Sequence, residues 1–111
     1  MTQSNLEQRF HAAMLAIYDK AWDLPKPYRP TEFKRMVLNY GGKEAADRLL
    51  ATSNPSAGFT QLFLHGGYDA LKISMEYLVL SDPWKTLFTE EQLAVARKRL
   101  KDMNVPFALP E

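Results

Sequence analysis

The sequence predicts an all-α domain, compact and single, of five or six short helices. Apolar residues recur every three or four positions through most of the chain, the spacing of amphipathic helices. Glycine and proline interrupt that spacing at short intervals. No segment alternates with the period of two that a half-buried strand requires, and there is no internal repeat or low-complexity tract.

The first element spans 1–24. Leu6, Phe10, Ala13, Ile17, Ala21 and Leu24 form its apolar stripe, Ser4 with Glu7 reads as a capping box, and Pro25 closes it. Residues 25–30, Pro-Lys-Pro-Tyr-Arg-Pro, can only be an extended connector, because proline fixes φ and removes backbone donors. The core of the domain is expected over 31–104. Thr31 reads as a cap for a helix with Phe33, Met36, Val37 and Tyr40 on one face, which Gly41-Gly42 ends. Ala45, Ala46, Leu49 and Leu50 give the next helix, and Ser53 to Gly58 a turn-rich loop. Phe59, Leu62 and Phe63 form a short helix stopped at His65-Gly66-Gly67. Asp69 is expected to cap a continuous central helix through Leu80, apolar nearly all round. Trp84 to Phe88 make a hydrophobic turn. Thr89 with Gln92 is the clearest capping box, opening a last helix with Leu93, Ala96, Leu100 and Met103 inward. Residues 105–111 form a tail.

Size and composition narrow the function classes. At 111 residues and 12.7 kDa, a folded chain exposes roughly 6,000 Å² and buries about two-thirds of its extended surface, enough for one core. With no Cys, disulfides, thiolate metal sites and a Cys nucleophile are excluded. A net charge of +1 argues against a polybasic coat for nucleic acid or membrane. No apolar run is long enough to span a bilayer, and the start lacks a secretion signal, so a cytoplasmic, soluble protein is expected.

Few residues suggest chemistry. His11 and His65 lie far apart and without metal-ligand spacing, so no metal or other cofactor is expected. No strained serine turn or phosphate loop occurs. Glu76, on the most apolar helix, must be paired or protonated if buried. Arg97 is its expected partner, with Arg48 as alternative, and the pair is read as structural; a catalytic acid or base at Glu76 is the rival. Lys34, Arg35, Lys43, Arg97, Lys98 and Lys101 are candidate phosphate contacts, though neighbouring helix positions diverge by about 100°. Tyr40-Gly41-Gly42-Lys43 loosely suggests a helix-turn-helix. Trp22, Tyr28 and Trp84 are candidates for a partner surface, where aromatic anchors dominate.

Tyr28-Arg29-Pro30 with Phe33, Gly41-Gly42-Lys43-Glu44-Ala45-Ala46-Asp47-Arg48-Leu49-Leu50, Gly58-Phe59 with Leu62, Leu71 through Leu80, and Trp84 through Leu100 together form an ordered pattern. That pattern resembles an α-helical domain family of bacterial proteins with no assigned activity, over about two-thirds of the chain. Where such relatives often read Gly-Arg-Leu-Asp, this chain has Gly67-Tyr68-Asp69-Ala70, so the arginine has no counterpart. The resemblance implies an accessory role beside bacterial DNA-processing or defence proteins. The combined expectation is a non-enzymatic protein-protein interaction module, its partner another protein or a second copy of the chain. A weak nucleic-acid binder is the alternative, with no membrane partner in either case.

Overall fold

A computed structural model of the chain describes residues 2–52 and 57–110. Six α-helices are present among them: α1 (Thr2–Trp22), α2 (Thr31–Tyr40), α3 (Gly42–Leu50), α4 (Ala57–Ala70), α5 (Met75–Leu80) and α6 (Glu90–Asp102). Two 3-10 turns, Leu71–Ile73 and Trp84–Leu87, join the later ones, and the described residues contain no strand. The expected all-α class is what the chain adopts. Most of the turn-rich loop expected after Thr52, residues 53–56, lies outside the described residues.

α1 is the spine. Phe10, Met14, Ile17 and Ala21 occur at i, i+4, i+7 and i+11, and all four are buried. Met14 takes the central place that the sequence pattern assigned to Ala13, which is only half-buried. The helix begins at Thr2, so Ser4 lies within it rather than ahead of it as a cap. Against this spine pack α2, α3 and the two 3-10 turns, while α5 packs on α6. The shared core adds Val37, Ala45, Ala46, Leu50, Phe59, Leu62, Leu71, Met75, Val79, Leu80, Leu93, Ala96 and Leu100. A Cα radius of gyration of 13.0 Å matches the roughly 13 Å expected of one folded domain this long.

Close approach explains the α2–α3 corner. Gly41 alone separates the helices, with φ 87°, a conformation that favours glycine. A Cβ at Gly42 would stand 2.6 Å from the His11 Cα, so α3 reaches α1 only because residue 42 has no side chain.

The continuous helix expected over 69–80 does not form. α4 kinks at Gly67 (φ 69°), and a 3-10 turn follows. Ser74 then restarts the chain as α5: its Oγ accepts from the Tyr77 N–H at 3.2 Å and donates to the Leu71 carbonyl at 2.7 Å. A buried serine that satisfies backbone groups locally competes with helix propagation, so apolar periodicity alone overestimated the element. The capping box at Thr89 and Gln92 is present as the sequence suggested, with reciprocal bonds of 3.1 and 3.0 Å. No helix of the described residues is long and apolar enough to cross a membrane.

Candidate functional site

The connector after α1 is rigidly placed despite having no regular structure. The Tyr28 N–H donates to the Ala21 carbonyl at 3.0 Å, and the Lys26 N–H donates to the His65 carbonyl at 3.1 Å. His65 Nδ1 in turn donates to the Lys26 carbonyl at 3.0 Å, and the Tyr28 and His65 rings pack 5.0 Å apart. These bonds supply what the three prolines cannot, and they hold Tyr28 and Arg29 over the start of α2.

Between connector and α2 runs a groove of about 490 Å³. Tyr28, Phe33, Met36, Tyr40 and Leu49 supply its apolar lining, and Arg29, Arg35 and Glu32 its charge. Phe33, Met36, Val37 and Tyr40 share one face of α2 as the spacing predicts, yet of these only Val37 is buried. The apolar stripe of α2 is wider than the core it meets. Tyr40 is 46% exposed, with the Arg48 guanidinium 3.9 Å above its ring. Partial burial raises the Tyr28 phenol above its ordinary range. Arg29 lies 4.0 Å over the Trp22 ring, and Arg35 is 3.2 Å from Glu32.

The candidate partner residues are only partly brought together. Trp22 and Tyr28 are neighbours across the end of α1. Trp84 packs 5.7 Å from Phe10, and twelve helical residues separate positions 10 and 22 by about 18 Å. Trp84 therefore does not share a surface with the other two. The candidate phosphate contacts scatter as well. Lys34 sits 4.4 Å over Tyr18, Lys43 pairs with Asp47 at 2.8 Å, Arg35 pairs with Glu32, and Lys98 pairs with Asp102 at 2.9 Å. Arg97 and Lys101 line a different cleft, between α6 and the tail.

Glu76 is paired, but with Arg99 rather than Arg97 or Arg48. Arg99 Nη1 donates to Glu76 Oε2 at 3.0 Å, with side chains only 5% and 2% exposed. Its Nη2 donates to the Leu49 and Thr52 carbonyls at 3.1 and 2.9 Å and to Thr52 Oγ1 at 3.1 Å. One guanidinium thus ties α6 to α5 and to the end of α3. The physical reason is register: Arg99 stands three residues after Ala96 on the inward face, whereas Arg97 is turned about 100° from it. Arg48 is occupied by Glu44 at 2.8 Å on the outer side of α3. Burial pushes the Glu76 carboxyl above the usual carboxylate range, against the opposing pull of its own backbone N–H and of Arg99. His11 is also engaged, its Nδ1 accepting from the Gly42 N–H at 2.9 Å. No three metal-ligating side chains converge among the described residues. Comparison with family models, curated proteins and solved structures found no match to this chain.

Proposed function

We propose that the chain is a helical interaction module that docks a segment of a partner protein in the groove between the connector and α2. The observation that carries this reading is the groove itself, where Phe33 and Met36 stay half-buried and Tyr40 exposed beside a connector held by backbone bonds at Lys26 and Tyr28. Preorganised apolar surface with a charged rim is what interface anchors use, because little ordering is lost on binding. Arg29, which no acid answers among the described residues, favours a segment that carries an acidic residue beside its apolar anchors. The resemblance of the sequence to a bacterial helical domain supports placing that partner among DNA-processing or defence proteins.

Dispersal of Lys34, Lys43 and Arg97 over separate faces, and the pairing of Arg35, Lys43 and Lys98 with acids, weigh against a nucleic-acid surface. The test is copurification from the native host. A partner held by wild type should be lost with Met36→Asp and Tyr40→Ala, and retained with Lys98→Ala. Its retention should change little with salt, since phosphate contacts weaken steeply as salt rises and apolar docking does not. A partner indifferent to both groove variants would refute the reading.

A further inference from the structure

A second concavity, independent of the groove, lies between α6 and residues 104–110. It measures about 600 Å³ and is lined by Arg97, Lys101, Asn104, and the apolar Val105, Phe107 and Leu109. Among the described residues, the charged side chains that line it are Arg97 and Lys101, both basic. Several bases on the helices answer acids one turn away, among them Lys43 with Asp47, Arg48 with Glu44 and Lys98 with Asp102. Arg9, Arg29, Lys34 and Lys72 instead lie over aromatic rings. Arg97 and Lys101 have neither kind of partner among the described residues. They stand at i and i+4, so two like charges face one another across a single helical turn, an arrangement that destabilises an isolated helix.

We propose that this cleft binds a phosphate monoester attached to an apolar body. Two adjacent cations match the nearly double negative charge that a monoester carries near neutral pH, where a carboxylate or a phosphodiester offers one. The guanidinium of Arg97 supplies a fork for two phosphate oxygens, and Lys101 a compact point charge. Val105, Phe107 and Leu109 form the wall against which the organic portion rests. Binding also relieves the repulsion between the two bases.

Phenyl phosphate is a suitable probe, followed by amide chemical shifts on the full chain. Saturable binding with shifts confined to residues 97–109 is the expected result. Arg97→Gln and Lys101→Gln should each weaken it about tenfold, the scale of losing one hydrogen-bonded charge. Without ligand, both variants should melt at or above the wild-type temperature, because each removes the like-charge pair. Inorganic phosphate should bind more weakly at the same residues, for want of an apolar body. The proposal is overturned by an absence of saturable binding, or by undiminished binding in both variants. It is equally overturned if phenylacetate or a short single-stranded oligonucleotide binds there as tightly as phenyl phosphate.

Discussion

Replacing Arg99 by methionine leaves the Glu76 carboxyl in a dry interior with its counter-charge gone. Removing one partner of a buried pair costs about 3–5 kcal/mol, because the remaining charge stays desolvated without compensation. Exposures of 5% and 2% place this pair at the fully buried end of that range. The lost bonds to Leu49 and Thr52 add little, since Thr52 is exposed and water can replace the guanidinium there. A loss of about 4 kcal/mol should lower Tm by roughly 15 °C in a chain of this size. The pH dependence gives the sharper test. Glu76 already titrates above its unfolded value, about 4.3, so its contribution to stability falls as pH rises from there through the folded pKa. Loss of Arg99 removes an interaction that favours the carboxylate and moves the folded pKa further up. The deficit of Arg99→Met should therefore be smallest near pH 4, where the carboxyl is protonated in both proteins, and larger at pH 7. Denaturant melts at the two pH values measure it. Adding Glu76→Met should recover at least about 2 kcal/mol, as apolar replacement of a whole buried pair is often neutral or better. Equal deficits at both pH values would show that Glu76 holds its proton throughout and that the contact is not ionic.

Two further outcomes test the packing. Thr89→Ala should cost about 1 kcal/mol through loss of the N-cap bond to Gln92, read from a thermal melt, and unchanged stability would remove the capping box from the account of α6. Gly42→Ala should cost about 1–3 kcal/mol by overpacking against the His11 backbone, and a neutral result would mean that α1 and α3 separate easily.

The sequence pattern revealed what local chemistry decides. The proline connector, the break at Gly41-Gly42 and the capping box at Thr89 each follow from one or two residues, and all are present, although Gly41 alone makes the break and Gly42 already begins α3. Ser74 escaped because its helix-starting role depends on a bond to the Leu71 carbonyl, which a hydrophobic pattern does not register. The partner of Glu76 was legible in principle: Arg99 falls on the same stripe as Ala96, but its charge suggested the wet side. The groove was not legible. Its walls come from the connector, α2, Leu49 and Gly58, and which part of an apolar stripe stays uncovered depends on packing among distant segments.

The corner at Gly41 has a consequence for length. The Gly41 N–H closes α2 on the Val37 carbonyl, and the Gly41 carbonyl opens α3 by accepting from the Ala45 N–H, so one residue serves both helices. An inserted residue must lengthen α2 or displace α3. The first turns the outgoing chain by about 100°, carrying Ala45, Ala46 and Leu50 away from the core. The second is blocked where Gly42 meets His11. Relatives of this chain should accordingly vary in length within the loops and hold the spacing from Val37 to Ala45 constant.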